Sequence, residues 1–204
     1  MKKLLLTALI AGMSATPALA TPYVSGSIGL GFSGNSSVSI TGVGEVNDFI
    51  KWKSGVPFGA AVGIKQDAFR VEAALGYQTH DVDKVLVAPG VYGAPGGTDN
   101  TASVLTYLVN GYYDFNINKS SFSPYVTAGL GGASLKPEGS NSKSVFAWQL
   151  GAGVGVKAAK DLTVDLGVRY LKPGSFDGDA GNGNSGKFSV SYTNILAGLR
   201  YDFN

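Results

Sequence analysis

The chain has 204 residues, 30 of them glycine, one histidine, no cysteine, and 16 basic residues against 14 acidic ones. Without cysteine there is no disulfide framework and no thiolate chemistry. The near-even charge gives no basis for binding nucleic acid or for a basic membrane-surface patch. The chain opens with Met1-Lys2-Lys3, an apolar run from Leu4 to Met13, and Pro17-Ala18-Leu19-Ala20 before Thr21. A positive start, an apolar stretch too short to span a bilayer and an A-x-A site read as a secretory signal peptide over residues 1–20, in preference to a retained anchor. Residues 21–204 then form one domain, in which no segment approaches the ~20 continuous apolar residues of a transmembrane helix.

Period-two alternation predicts eight strands. The first, Tyr23 to Phe32, sets Val24, Ile28, Leu30 and Phe32 against Ser25, Ser27, Gly29 and Gly31. A long polar excursion, Ser33 to Gly55, precedes strand two, Val56 to Lys65. Gln66-Asp67-Ala68 is a tight connection into strand three, which alternates from Phe69 to Gln78 with Arg70 and Glu72 on its polar face. A second long loop runs from His80 to Ala102. Strand four, Ser103 to Phe115, has an irregular pattern because Val104 and Leu108 interrupt it. After a shorter turn, strand five spans Pro124 to Ser134, and a polar loop from Leu135 to Ser144 leads to strand six, Phe146 to Lys157. A short turn at Lys160-Asp161 precedes strand seven, Thr163 to Tyr170. A Gly-, Asp- and Asn-rich loop, Lys172 to Gly186, leads to the closing stretch Lys187 to Asn204. Its last ten residues alternate without a break.

Connections therefore alternate long and short, and both chain ends fall on the short-turn side. Phe69, Tyr113, Phe115, Tyr201 and Phe203 fall at the short-turn ends of the strands. Phe32, Phe58, Tyr77, Trp148 and Tyr170 fall near the long-loop ends. Two aromatic girdles, an apolar face between them and a glycine-rich charged face behind predict an all-β fold: an eight-stranded antiparallel up-and-down transmembrane β-barrel. Closure satisfies every backbone group, as lipid demands. The inward set includes Lys65, Arg70, Glu72, Asp114, Gln149, Lys157, Asp165, Arg169, Arg200 and Asp202. An eight-stranded lumen is about wide enough for side chains to fill, so Lys65, Arg70, Glu72, Gln149, Asp165, Arg169 and Arg200 are expected to form a polar core. Adjacency suggests Glu72 with Arg70, Lys65 or Arg200, and Asp165 with Arg169. A narrow ion path past the same residues is the competing reading.

The run Asn110-Gly111-Tyr112-Tyr113-Asp114-Phe115 followed by Pro124-Tyr125-Val126-Thr127-Ala128-Gly129-Leu130-Gly131 resembles the bacterial surface-antigen and outer-membrane-protein-A-like family of small porin-like barrels. So do Phe146-Ala147-Trp148-Gln149-Leu150-Gly151-Ala152-Gly153-Val154-Gly155 and Leu196-Ala197-Gly198-Leu199-Arg200-Tyr201-Asp202-Phe203. The likeness covers the whole chain after residue 20. It implies an outer-membrane barrel with periplasmic termini, in contact with outer-membrane lipid and lipopolysaccharide, whose exposed loops serve as antigens or adhesive surfaces toward a host or surface ligand. It also implies an insertion signal at Leu199, Tyr201 and Phe203, read by the barrel-insertion machinery. Asn204 departs from the usual terminal Phe. No peptidoglycan-binding segment is expected after the barrel, and a monomer is expected.

His80, followed by Asp81 and Val82, is the only histidine, and Ser103 lies a loop away. A lipid A deacylase would place Ser two residues after His, so a solvated loop-end histidine is the expected state. One histidine and no cysteine exclude the usual zinc constellations. Asp177, Asp179, Asn182 and Asn184 offer calcium-type oxygens, but their glycines do not match an EF-hand loop. Phe49, Trp52 and Tyr92 in the outer loops are single aromatics that could make contact sites. The sequence thus points to a non-catalytic, structural and surface-exposed barrel without a cofactor. A narrow low-conductance porin-like channel is the first alternative, and a lipid A-modifying outer-membrane enzyme the second.

Overall fold

The side chains sort by parity, so each segment buries one face only as a strand does. The computed structural model describes residues 20–34, 37–40, 44–46, 50–88, 91–93, 101–115, 117, 120–137, 142–179 and 185–203. The expected signal peptide, apart from Ala20, lies outside them. In chain order the strands are β1 (Thr21–Ser33), β2 (Ser37–Ile40), β3 (Gly44–Val46), β4 (Ile50–Trp52), β5 (Phe58–Gln66), β6 (Phe69–Ala88), β7 (Val91–Gly93), β8 (Thr101–Asp114), β9 (Phe122–Pro137), β10 (Lys143–Lys157), β11 (Leu162–Pro173), β12 (Phe176–Asp179), β13 (Ser185–Ser189) and β14 (Tyr192–Asp202).

Eight of these close a barrel. The order β1-β5-β6-β8-β9-β10-β11-β14 is antiparallel throughout, and β14 returns to β1 with Tyr23 opposite Asp202 and Ser33 opposite Tyr192. Ile28, Leu75, Leu130, Leu150 and Leu199 are all more than half exposed on the outside. Tyr23, Leu108, Asn110, Asp114 and Arg200 are buried within. The girdle rings pack in pairs: Phe69 on Tyr113 and Tyr201 on Phe203 at the short-turn end, Phe58 on Tyr77 and Trp148 on Tyr170 at the other. An apolar belt between aromatic girdles is the outside of a barrel made for lipid.

Asp67, at the two-residue turn between β5 and β6, has φ 52°. Asp tolerates the left-handed region better than most residues because its short side chain can hydrogen-bond locally. At Gly131 the reason for glycine is contact: a Cβ there would lie 2.2 Å from the Tyr107 carbonyl oxygen on the neighbouring strand.

The long connections depart from expectation. Ser33–Gly55, expected as a polar excursion, contains β2, β3 and β4. The stretch expected as a loop from His80 to Ala102 instead carries β6 on to Ala88 and includes β7. Backbone pairing continues past the apolar belt because neighbouring connections supply partners. β12, β13, β2 and β3 form a separate four-stranded sheet joining the first and last long connections, and β4 and β7 flank β6. The closing stretch from Lys187 is likewise two strands, β13 and β14, separated at Val190 and Ser191. β13 belongs to the outer sheet and β14 to the barrel.

The lipid-facing belt generates a first prediction. Leu130→Arg places a charge on the outer face of β9 and should destabilise the barrel by about 2–4 kcal/mol if Leu130 lies at the bilayer midplane. Equilibrium denaturant unfolding in lipid vesicles reads this directly. Thr163→Ser, on the inward face, should change stability far less.

Candidate functional site in the barrel lumen

The inward faces of the strands build a charged layer toward one end and a largely apolar layer, with a few buried amides and His80, toward the other. Toward the short-turn end lie three linked polar centres. Asp114 accepts hydrogen bonds from Arg70 Nε (3.1 and 3.0 Å to its two oxygens) and Nη2 (2.8 Å), and Lys65 Nζ stands 3.2 Å away. The Arg70 guanidinium lies 4.2 Å from the Tyr112 ring centroid and 5.1 Å from that of Tyr125. Glu72 accepts from Tyr23 Oη (3.0 Å), Asn110 Nδ2 (3.0 Å) and Tyr112 Oη (2.5 Å). Arg169 Nη2 donates to Tyr112 Oη at 2.9 Å, and Gln149 Nε2 donates to Asn110 Oδ1 at 2.6 Å. Arg200 donates to Asp165 (3.2 Å) and Asp202 (3.3 Å).

This places the seven polar residues singled out in the sequence, and the pairing within them differs from the one adjacency suggested. Arg70 and Lys65 take Asp114, Glu72 takes neutral hydroxyl and amide donors, and Asp165 takes Arg200 while Arg169 turns to Tyr112. The cause is diagonal reach. Arg70 is register-paired with Tyr112 and Arg200 with Thr163, yet their acids sit two residues along the neighbouring strand. A same-face diagonal of about 7–8 Å suits a guanidinium better than the direct partner position does.

Tyr23 and Tyr125 belong to this centre and were missed in the sequence. Parity from Val24 and from Val126 would have turned both inward. Each fits because glycine stands beside it on the neighbouring strands: a Cβ at Gly63, the register partner of Tyr23, would lie 2.5 Å from the Tyr23 ring, and one at Gly153, the partner of Tyr125, or at Gly167 on the next strand within about 2.6 Å of the Tyr125 hydroxyl.

Toward the long-connection end an apolar cluster shares the lumen with buried Gln78 and Asn194, whose Nδ2 donates to Gln78 Oε1 at 2.9 Å. Val104, Leu108, Ala133, Leu135, Ala147, Leu171, Val190 and Tyr192 form one buried cluster. His80 joins it: only 2% exposed, its ring stacks on Tyr192 at 4.9 Å and its Nδ1 donates to the Lys53 carbonyl at 3.2 Å. The expected solvated histidine is therefore corrected, because β6 carries His80 on the inward parity beyond Tyr77. Ser103 stands on the outward parity of β8, its hydroxyl 3.5 Å from the Lys136 carbonyl oxygen. The barrel wall separates the two. Between the layers lies a cavity of about 90 Å³, lined by residues such as Ser25, Ser27, Thr106 and Asp165. Asp177 and Asp179 lie in β12, and Asn182 and Asn184 lie outside the described residues. At the chain's end Leu199, Tyr201 and Phe203 are exposed on the outer face, and Asn204 lies outside the described residues.

Glu72 joins the most partners, which yields a second prediction. Glu72→Ala strands the Tyr23, Asn110 and Tyr112 donors beside buried cations and should destabilise the barrel by about 3–5 kcal/mol, as removal of one buried charge does. Glu72→Gln keeps an acceptor and should recover part of that loss in the same unfolding assay.

Comparison with known proteins agrees with this architecture. The model of the outer membrane protein beta-barrel domain matches residues 4–203. Outer membrane protein PagN of Salmonella typhimurium is 32% identical over 126 residues, covering 51% of this chain and 52% of that protein. The match thus spans about half the length of each. Neisserial surface protein A superposes with a TM-score of 0.57 at 18% identity, over 90% of this chain and 99% of that one. OprG of Pseudomonas aeruginosa gives a TM-score of 0.59 at 17% identity, over 91% and 96%. At such identity these two share the fold. With a closed eight-stranded barrel, a lipid-facing belt and a family match over nearly its full length, the chain belongs to the outer membrane protein beta-barrel domain family and resides in the outer membrane.

Proposed function

We propose that the protein is a non-catalytic, surface-exposed structural barrel. It supports envelope integrity and presents its long connections for contact as an antigen or adhesive surface. The observation that carries this reading is the second sheet. β2, β3, β12 and β13 pair with one another outside the barrel order. Membrane closure does not require that sheet, because the eight barrel strands already satisfy one another's backbone groups. Pairing that joins the first and last connections builds an organised face beyond the lipid, where a partner can be met.

Within this reading Lys65, Arg70, Glu72, Gln149, Asp165, Arg169 and Arg200 are a structural polar core. Leu199, Tyr201 and Phe203 are the segment recognised by the insertion machinery. Outer-membrane lipid and lipopolysaccharide surround the belt, and the barrel acts as a monomer. The packed lumen favours this reading over a narrow porin-like channel. The inward His80 and outward Ser103 favour it over a lipid A-modifying enzyme.

Replacing residues 35–52 and 176–188 with short Gly-Ser linkers should leave the heat-dependent gel shift of the folded barrel intact and abolish adhesion of cells displaying it to host or abiotic surfaces. Full adhesion by the trimmed barrel would refute the displayed-surface role. Turnover of lipid A by the purified protein, lost in His80→Ala, would refute the non-catalytic part.

A further inference from the structure

We propose that the lumen binds a water molecule at its long-connection end, held between the side-chain amides of Gln78 and Asn194 and the imidazole of His80. The site is separate from the charged centres and stands whether or not the outer surface meets a partner.

Gln78 and His80 stand two residues apart on β6, and Tyr192 and Asn194 two residues apart on β14. Side chains at that spacing share a face, so the two strands meet across the lumen in two rungs. In one rung Asn194 Nδ2 donates to Gln78 Oε1 at 2.9 Å. In the other the His80 ring stacks on Tyr192, with centroids 4.9 Å apart. Between the two strands, β1 presents Gly31 at this level and the segment before β5 presents Gly55. A Cβ at Gly31 would lie 2.8 Å from Asn194 Oδ1 and 3.3 Å from His80 Cε1, and one at Gly55 2.8 Å from His80 Cε1. The amide of one rung and the imidazole edge of the other converge over bare backbone.

Three polar atoms are left over. Gln78 Nε2, Asn194 Oδ1 and His80 Nε2 have no hydrogen-bond partner among the described residues, although these residues are only 3%, 8% and 2% exposed. A buried polar group without a partner is costly, and ordered water is the usual remedy where protein groups do not reach.

The set also defines what can sit there. A carbonyl only accepts, so the His80 nitrogen bonded to Lys53, Nδ1, carries the proton and Nε2 of the neutral ring is an acceptor. Gln78 Nε2 only donates and Asn194 Oδ1 only accepts. Turning both amides over keeps their mutual bond and still leaves one donor and one acceptor. The guest must therefore accept one hydrogen bond and donate two. A metal or ammonium ion would face the Gln78 N–H, and an anion would face two acceptors. Water fits, with the three hydrogen bonds typical of a buried water. Room lies beside the amides: both line the cavity of about 90 Å³, and one water needs about 10–15 Å³ of such space.

The test is water–protein NOE spectroscopy on the refolded full barrel in perdeuterated lipid nanodiscs. A cross-peak is expected between water and His80 Hε1, a proton that does not exchange, with the sign of a molecule that stays longer than the barrel takes to tumble. Gln78→Leu combined with Asn194→Val removes both amides and should abolish that cross-peak while the heat-dependent gel shift is retained. Absence of the cross-peak in the wild type would overturn the site, as would an undiminished one in the folded double variant. Should the double variant not fold, Gln78→Met takes its place. Loss of the donor alone should weaken the cross-peak severalfold, and unchanged intensity would overturn the proposal.

Discussion

Everything in this molecule depends on the pairing of β14 with β1. A strand in lipid cannot leave its amides and carbonyls unpaired, because each such group costs several kcal/mol. The chain meets that constraint by bringing its last strand back to its first over an eleven-residue register from Tyr23–Asp202 to Ser33–Tyr192. Once the ring is closed, the side-chain period of two allots one face to lipid and the other to the lumen. The lumen is then too narrow for anything but side chains. Glycine adjusts the fit where large residues meet the wall, as at Gly63 beside Tyr23 and Gly153 and Gly167 beside Tyr125.

The lumen divides its work along the barrel axis. At the short-turn end, arginines and carboxylates are linked through tyrosine hydroxyls and amides. Charge is neutralised partly by direct contact, as in Arg70 with Asp114, and partly one step away, as in Arg169 with Glu72 through Tyr112. Such a network fixes strand positions because each member is held by more than one strand. At the long-connection end, aliphatic side chains and His80 pack beside a Gln78–Asn194 hydrogen bond, and His80 is held by the Lys53 carbonyl. Beyond that layer the chain stops serving the membrane. β12, β13, β2 and β3 pair among themselves, and β6 runs on to take β4 and β7 as neighbours.

Much of this was readable from the residues. Alternation from Phe146 to Lys157 and from Ile195 to Phe203 carries β10 and most of β14, and the aromatics at strand ends mark both girdles. The tight turn at Asp67 and the alternating long and short connections carry the topology. Parity also says which residues face inward, so Arg70, Glu72 and Arg200 could be singled out. It does not say who pairs with whom, because that needs the stagger between strands, and the long arginines reach along diagonals. The outer sheet was illegible for a related reason. β2 is four residues and β3 three, and their partners lie more than a hundred residues away in β13 or within the same connection, so no local period reveals them. Val104 and Leu108 looked like noise in strand four. They are regular members of the inward face, and their meaning emerges only when Leu135, Leu171 and Tyr192 arrive beside them from other strands.

The most direct test of the account is backbone hydrogen exchange of the barrel in lipid bilayers, read residue by residue along the closing seam. A ring closed by β1 and β14 predicts that the amides of Ser25 to Gly31 and Leu196 to Arg200 exchange as slowly as those of β9 and β10, the neighbouring pair on the far wall. Fast exchange confined to the β1–β14 seam, with the other pairs protected, would mean an open or fluctuating sheet edge and would contradict the closed barrel on which the rest of the account stands.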